Sequence, residues 1–215
     1  MSYNNQAKYR QLFTKLPNGK VRCDVCPRHC TLKTGQRGFC FVRQSIDDKI
    51  ALTTYGRSTG FAIDPIEKKP LNHFYPNSKI LSFGTAGCNL ACKFCQNWTS
   101  SKAKDVAVMS ATATPEQIVA TAAKTESLSV AFTYNDPVIF LEYAADTAKV
   151  ARQHGIKTVA VTAGYINRAA GELLFENIDA ANVDLKSFSE NFYKKQCNGH
   201  LAPVLDCLKY LKHET

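Results

Sequence analysis

Three cysteines, Cys88, Cys92 and Cys95, stand close together in the run GTAGCNLACKFCQNW with the spacing C-x3-C-x2-C. A [4Fe–4S] cube is normally held by four thiolates, one for each iron. Three thiolates leave one iron without a protein ligand, and an open position on a metal is where substrates bind and react. The spacing differs from the ferredoxin run and from the paired C-x2-C motifs of structural zinc. It therefore predicts an iron–sulfur cluster that takes part in chemistry.

A second group of four cysteines lies nearer the N-terminus, where Cys23, Cys26 and Cys30 form C-x2-C-P-x-x-C and Cys40 follows. Four thiolates would fill a tetrahedral or cubane site completely, so we expect a closed site. The surrounding segment is rich in glycine and poor in apolar residues, and it needs a metal to hold its fold. A second [4Fe–4S] cluster that passes electrons and a structural zinc ion both satisfy this pattern.

The composition limits the class of protein. A chain of 215 residues with 45% hydrophobic and 21% charged residues is long enough for one core, or one core with a small appendage. No apolar run of membrane-spanning length and no secretory signal is visible, so we expect no membrane partner. Seven of the nine cysteines fall in the two metal-type groups, which favours a reducing, cytoplasmic setting. The net charge of +9 is scattered along the chain, so we expect no nucleic-acid partner.

The elements that must position these residues alternate regularly from residue 79 onward. Strands are predicted at 79–84, 128–133, 158–162 and 178–185, each followed by a loop and a helical segment. Thr114-Pro115-Glu116-Gln117 predicts a helix start with a capping box, and Gly155 and Asn167 predict a helix end and the next helix start. Four strand–loop–helix units predict an α/β fold with a parallel sheet, in which polar motifs at strand C-termini meet at one edge.

The sequence predicts that the chain is divided into two structural parts. Residues 1–78 form an N-terminal Cys-rich metal-binding segment with short strands, at 49–54 and 60–65, and residues 79–215 form the main α/β unit. Four units are too few to close a barrel, so we expect a partial barrel that lacks its later strands, or an open sheet completed by others. The lone cysteines Cys197 and Cys207 are expected to be buried thiols, and Trp98 is expected in the core.

With Phe94 before the last cysteine, GCNLACKFCQNW resembles the cluster motif of the radical S-adenosylmethionine enzymes. The longer run EKKPLNHFYPNSKILSFGTAGCNLACKFCQNW, with TYNDP, VTAGY and NVDLKSF after it, resembles the radical component of the AmmeMemoRadiSam system, a relative of pyruvate formate-lyase activating enzymes. The resemblance implies a partial (β/α) barrel of about four βα units. It also implies that Cys88, Cys92 and Cys95 hold a [4Fe–4S] cluster whose open iron binds S-adenosylmethionine. Reductive cleavage of S-adenosylmethionine would give a 5′-deoxyadenosyl radical that abstracts hydrogen from an unidentified substrate or protein partner.

The resemblance also implies cofactor-binding residues. Asn135, Asp136 and Pro137 stand where the family carries a Gly/Asn-Glu-Pro turn that binds the amino group of the cofactor's methionine part. A carboxylate pairs well with an ammonium group, and Asp keeps the charge of the usual Glu with a shorter reach. Phe94 is expected to contact the cofactor as well. No residue is assigned as the catalytic acid, base or hydrogen donor.

Two more strand ends match family motifs. Thr162 ends the third strand near the cofactor's ribose in relatives, although Ala163 stands where the family more often has Asn. Asp184 and Lys186 match a DLK motif, whose Lys approaches the cofactor carboxylate and whose Asp faces a monovalent cation.

Three functions remain in competition. The first is a radical S-adenosylmethionine enzyme that works with an electron donor such as ferredoxin or flavodoxin and with Memo-like and Amme-like proteins. The second is an activase that installs a glycyl radical on a separate enzyme. The third is an iron–sulfur electron-transfer module that cleaves no cofactor, which would need a fourth ligand such as Cys197. The substrate and the oligomeric state are not encoded in any motif of this chain.

Overall fold

The computed structural model describes residues 12–104 and 111–215. Residues 1–11 of the predicted N-terminal segment and residues 105–110 of the predicted main unit lie outside that description. The strands are β1 (Phe13–Lys15), β2 (Val21–Cys23), β3 (Thr31–Leu32), β4 (Arg43–Ile46), β5 (Lys49–Leu52), β6 (Arg57–Ser58), β7 (Phe61–Pro65), β8 (Lys79–Phe83), β9 (Ala111–Thr112), β10 (Ser129–Phe132), β11 (Lys157–Thr162) and β12 (Ala180–Val183). The α-helices are α1 (Trp98–Ser101), α2 (Pro115–Lys124), α3 (Leu141–Gln153), α4 (Arg168–Phe175), α5 (Glu190–Phe192) and α6 (Ala202–His213). Short 3₁₀ turns span Ile66–Lys68 and Pro137–Phe140, and a π-helical turn spans Tyr193–Cys197.

A five-stranded sheet with the order β12-β11-β10-β8-β7 forms the centre of the molecule. The pairs β8–β10, β10–β11 and β11–β12 are parallel, and β7 is antiparallel to β8. Strand β10 is buried along its whole length, as expected for a parallel strand that is covered on both faces. Each new parallel strand is added beside the previous one, with a helix between them, so the predicted α/β fold is confirmed. Closure into a partial barrel stays a prediction.

The predicted capping box at Thr114 and the predicted helix end at Gly155 are confirmed. The Thr114 hydroxyl accepts the Gln117 amide and the Gln117 side chain accepts the Thr114 amide, which is the predicted capping box. The helical segment that ends at Gly155 begins as a 3₁₀ turn capped by the Asp136 carboxylate, and α3 follows from Leu141. Gly155 ends this helical segment with φ of +70°, a conformation that only glycine adopts without strain.

The N-terminal segment packs directly on the main unit. Strands β1, β2 and β3 form an antiparallel sheet, β4 and β5 form a hairpin, and β7 joins the central sheet. The Asn167 side chain does not cap α4; its amide donates to the Asp24 carbonyl (2.8 Å), while the Asn167 backbone amide donates to Val25. Arg28 donates to the backbone carbonyls of Asn89 and Asn198. The core continues across both parts, and the division at residue 78 stays a prediction.

Candidate functional site

The loop that carries Cys88, Cys92 and Cys95 begins where β8 ends. One backbone amide in this loop points at a sulfur, since the Leu90 amide donates to Cys88 Sγ at 3.5 Å. Cys95 Sγ lies 3.2 Å from the Ser101 hydroxyl at the end of α1. Burial raises the pKa of Cys88 and the Leu90 amide opposes that rise, while the thiolate is the form that binds a metal.

Asn135 holds this loop from the neighbouring strand end. Its side-chain oxygen accepts the Thr85 amide (3.2 Å), and its side-chain nitrogen donates to the Gly87 carbonyl (2.9 Å) and the Thr85 hydroxyl (3.2 Å). Gly84 lets the two strand ends approach, because a Cβ there would lie 2.3 Å from the Thr133 carbonyl oxygen and 2.8 Å from Asn135 Oδ1. The structure thus places Asn135 against the cysteine loop. Its predicted contact with a cofactor is not tested.

We expect Asn135→Ala to loosen the cysteine loop. Leaving buried partners at Thr85 and Gly87 without their hydrogen bonds costs about 1–3 kcal/mol. Urea unfolding and the rate of iron loss from reconstituted protein measure the effect. Asn97→Ala is the control, because the Asn97 side chain is exposed in the same loop and caps nothing. Unchanged iron retention in Asn135→Ala would contradict a positioning role.

Asp136 connects the ends of β10 and β11. Its side chain is buried, and Oδ1 accepts the Thr162 hydroxyl (2.8 Å) and the Val138 amide (3.1 Å), while Oδ2 accepts the Ala163 amide (2.9 Å). An ionised carboxylate offers about four acceptor positions, so one remains open. Burial raises the pKa of this carboxyl, while the donated hydrogen bonds and the charge of Lys186 oppose the rise. A bound cation would use the remaining position.

The end of β12 brings a positive charge to the same edge. The Lys186 ammonium lies 2.7 Å from the Asp184 carboxylate and is within electrostatic range of both Cys92 and Asp136. The Lys186 backbone amide also donates to the Tyr193 hydroxyl (3.1 Å). Burial opposes ionisation of Lys186, yet the neighbouring carboxylates raise its pKa, so it stays charged. The sequence-predicted groups Asp136, Thr162 and Lys186 therefore share one edge of the sheet.

A fourth cysteine, predicted to be a buried thiol, also reaches this site. Cys197 is fully buried at the end of the π-helical turn, and its thiol is hydrogen-bonded to the Cys92 thiol. Two backbone bonds fix the contact, from the Ala91 amide to the Cys197 carbonyl and from the Lys93 amide to the Gln196 carbonyl, both 2.9 Å. π-Turns occur frequently at functional sites. The burial predicted for Cys197 is confirmed.

The thiols need a metal in order to ionise. Burial raises the pKa of Cys92 to about 12, and burial together with the Asp136 charge raises that of Cys88 further. A coordinated metal deprotonates a thiol outright, whereas a buried thiol without one stays neutral. Three thiols, one of them with an amide donor, together with a nearby lysine and a buried carboxylate form a donor set that suits an iron–sulfur cluster with a charged ligand.

Phe94, predicted to contact the cofactor, and Trp98, predicted in the core, both lie at the surface. Phe94 is 53% exposed and packs against the Phe192 ring at 5.7 Å. Trp98 is 61% exposed at the start of α1, so its prediction as a core residue is wrong. Three residues separate Phe94 from Trp98, which opens a one-turn helix that buries none of its residues. Pro137 is buried and opens the 3₁₀ turn after β10.

The four N-terminal cysteines line one cavity between the N-terminal segment and the main unit. Arg43 and Asn89, which the sequence did not single out, line it too. Arg43 is buried and forms a two-pronged ion pair with Glu142 of α3, at 2.8 and 2.7 Å. Local sequence patterns carry no signal for a pair so far apart along the chain. Asn89 could have been noted, because a polar residue beside a ligand cysteine often orients it.

Among the described residues, all nine cysteines are free thiols, and no three His, Cys, Asp or Glu side chains meet closely enough to hold a single metal ion. No helix in this part of the chain is long and apolar enough to cross a membrane.

The sequence profile of the Radical SAM superfamily matches residues 83–214, from the end of β8 to the end of the last helix. The match covers more than half of the chain, and the chain belongs to this superfamily. Membership implies a [4Fe–4S] cluster and S-adenosylmethionine as cofactors, and an enzyme of S-adenosylmethionine-dependent radical chemistry. The resemblance stated from the cysteine motif is confirmed at this level, while the relation to the AmmeMemoRadiSam system stays a prediction.

Individual relatives add detail. Uncharacterized protein MJ0808 of Methanocaldococcus jannaschii is 42% identical over 200 residues, which cover 93% of this chain and 59% of that protein. The chain thus spans less than two thirds of this relative. A structure of TYW1 with a lysine-pyruvate adduct bound is 15% identical, with a TM-score of 0.45 over 71% of this chain and 62% of that chain. Streptococcus suis SuiB bound to S-adenosylmethionine is 18% identical, with a TM-score of 0.42 over 61% of this chain and 28% of that chain.

Proposed function

We propose that the chain is the cofactor-cleaving unit of a radical enzyme, with its cluster on Cys88, Cys92 and Cys95. The single observation that carries the proposal is the convergence of this loop with Asp136 and Lys186 at the C-terminal ends of the parallel strands. When bound, the cluster and S-adenosylmethionine supply a 5′-deoxyadenosyl radical that abstracts hydrogen from a substrate or partner. The main unit is, in this proposal, a partial (β/α) barrel in the cytoplasm.

The protein's own residues bind and orient the cofactor. The free acceptor position of Asp136 is available to the amino group of the methionine part, and Lys186 offers its charge to the carboxylate. Thr162 fixes the Asp136 carboxylate from the next strand and thereby the direction of that acceptor. Asp184 keeps Lys186 charged and is the group proposed to face a monovalent cation. The buried side chains of Leu90 and Ala163 belong to an apolar cluster against which Cys88 packs, and they form one side of the proposed cofactor site.

The partners follow from the motifs and are part of the proposal. The N-terminal cysteine segment and the CQNW run support a place beside Memo-like and Amme-like proteins, with electrons from a ferredoxin or flavodoxin. An activase for a glycyl-radical enzyme is the other version of the same chemistry.

The direct test is cofactor cleavage. Anaerobically reconstituted protein is reduced with dithionite and mixed with S-adenosylmethionine, and 5′-deoxyadenosine and methionine are quantified. We expect both products in equal amounts. An intact cluster that binds S-adenosylmethionine but gives neither product would overturn the proposal.

Asp136→Asn is expected to weaken S-adenosylmethionine binding while iron content stays unchanged. The amide carries no negative charge for an ion pair with an ammonium, and hydrogen bonds to charged groups contribute about 1.5–3 kcal/mol, or roughly ten- to a hundredfold in Kd. Equilibrium dialysis of the reconstituted protein measures the Kd. Asp206→Asn on the exposed face of α6 is the matched control. An unchanged Kd in Asp136→Asn would remove this carboxylate from the cofactor site.

One observation favours a second candidate function, an electron-transfer module. The Cys197 thiol touches Cys92 and is available as a fourth ligand, which would close the cluster. Cys197→Ala separates the two candidates. A closed cluster would lose an iron ligand and its stability, whereas a cluster that keeps its open iron for S-adenosylmethionine would survive the change.

A further inference from the structure

The cavity lined by Cys23, Cys26, Cys30 and Cys40 directs backbone amides at every sulfur. The donors are Val25 to Cys23, Arg28 to Cys26, Phe39 to Cys30 at 3.5 Å, and Val42 and Arg43 to Cys40. In three of the four cases the donor lies two residues after the cysteine, the same local arrangement that Leu90 forms at Cys88. Burial raises the pKa of Cys23, Cys26 and Cys40, and the amides oppose that rise, so the cavity presents four sulfurs with donors already directed at them.

Arg43 supplies a buried positive charge to the same cavity. Its guanidinium is within electrostatic range of Cys23 and Cys40, and two of its nitrogens are held by Glu142. The third nitrogen, Nε, is buried and has no hydrogen-bond partner among the described residues. A buried donor without an acceptor costs about 1–3 kcal/mol. An anionic group inside the cavity would satisfy it.

The buried Arg43 Nε favours a [4Fe–4S] cube over a single zinc ion at this site. A zinc ion held by four thiolates brings no acceptor beyond those thiolates. A cube adds inorganic sulfides, which accept hydrogen bonds from a buried N–H donor. The four cysteines and this donor line the same cavity.

The two groups of cysteines share a wall. The Asn89 side chain is buried, is hydrogen-bonded to Cys26, lies 3.9 Å from Cys88 Sγ, and is fixed by the Tyr165 carbonyl at 2.8 Å. Beside it, a Cβ on Gly87 would lie 2.1 Å from the Cys40 carbonyl oxygen, so the two loops touch at backbone level. One side chain thus separates a ligand of one group from a ligand of the other.

We infer that the N-terminal cavity holds a second [4Fe–4S] cluster and that this cluster passes electrons to the cluster on Cys88, Cys92 and Cys95 through Asn89. Only the electron transfer to the cluster on Cys88, Cys92 and Cys95 rests on the proposed function; the presence of a second cluster does not. A low-potential one-electron donor of the flavodoxin or ferredoxin class reduces the N-terminal cluster. That cluster gives the electron to the first cluster and returns to its oxidised state, and the first cluster delivers it to the sulfonium of S-adenosylmethionine.

Metal counting and electron paramagnetic resonance of the reconstituted chain test this without any turnover. We expect about eight irons and no zinc per chain, four for each cube. After dithionite reduction we expect the two signals to broaden or split each other. Cys92→Ala, which keeps the N-terminal group intact, should retain about four irons and give an unsplit signal.

Asn89→Leu tests the shared wall. It should keep about eight irons but lower the rate at which a single added electron appears as 5′-deoxyadenosine, while Asn97→Leu in the same loop leaves that rate unchanged. Four irons with one zinc in the wild type would overturn the second cluster. Eight irons with independent signals, or a normal rate in Asn89→Leu, would overturn the relay. Absence of 5′-deoxyadenosine with coupled signals would count against the proposed function alone.

Discussion

Replacing Cys92 with alanine is expected to reduce 5′-deoxyadenosine formation to the background of a protein-free reaction. Two remaining thiolates cannot hold the cube with its open iron, so the position at which S-adenosylmethionine binds is lost. The measurement is product formation after anaerobic reconstitution and reduction, with iron counted on the same sample.

Cys207→Ala is the matched control, because it removes the same sulfur from a buried cysteine outside both groups. It should keep both the iron and the product. Retained cofactor cleavage in Cys92→Ala would refute the assignment of this loop as the cluster site.

Replacing Arg43 with methionine is expected to destabilise the folded chain by about 3–5 kcal/mol, the usual cost of removing one partner of a buried ion pair. The Arg43 side chain is only 3% exposed and that of Glu142 11%, so water does not replace the lost interaction. Urea unfolding of the reconstituted protein measures the change. Arg168→Met, at an exposed pair with Glu172 and Glu214, should leave the unfolding midpoint unchanged.

A double variant separates the two roles of Arg43. Arg43→Met combined with Glu142→Leu replaces the pair with apolar side chains of similar size, which is often neutral for stability. It should therefore recover most of the lost stability. The N-terminal cluster should nevertheless be bound more weakly or show a shifted reduction potential, because its buried positive neighbour is gone. Full recovery of both properties would restrict Arg43 to a structural role.

The elements that could be predicted from sequence depend on neighbouring residues. The capping box at Thr114 and the glycine at 155 act within a turn or two, so they give helix boundaries directly. The edge at which Asp136 and Lys186 meet followed from another general property, since parallel strands place their C-terminal ends together.

What could not be predicted depends on contacts between distant segments. Arg43 and Glu142 are 99 positions apart, and neither has a neighbour that marks it as half of an ion pair. The contact of Cys197 with Cys92 depends on a π-helical turn, for which the sequence carries no dependable signal. The hydrogen bonds of Asn135 to the cysteine loop were not predicted, because Asn135 was interpreted only as part of a cofactor-binding motif. A motif position does not say which groups the side chain contacts.

The contact between Gly87 and the Cys40 carbonyl bears on how the protein matures. Asn89 of the Cys88 loop lines the N-terminal cavity and Gly87 packs on the Cys40 carbonyl, so a chain in which the Cys88 loop is still unformed offers iron an incomplete N-terminal cavity. Hydrogen bonds from Arg28 to the Asn89 carbonyl and from Asn167 to the Asp24 carbonyl also connect the N-terminal segment with the main unit. The N-terminal segment is therefore part of the same packed structure as the main α/β unit. Loading of the two sites is expected to be interdependent during biogenesis, and a side chain larger than hydrogen at position 87 would disturb both at once.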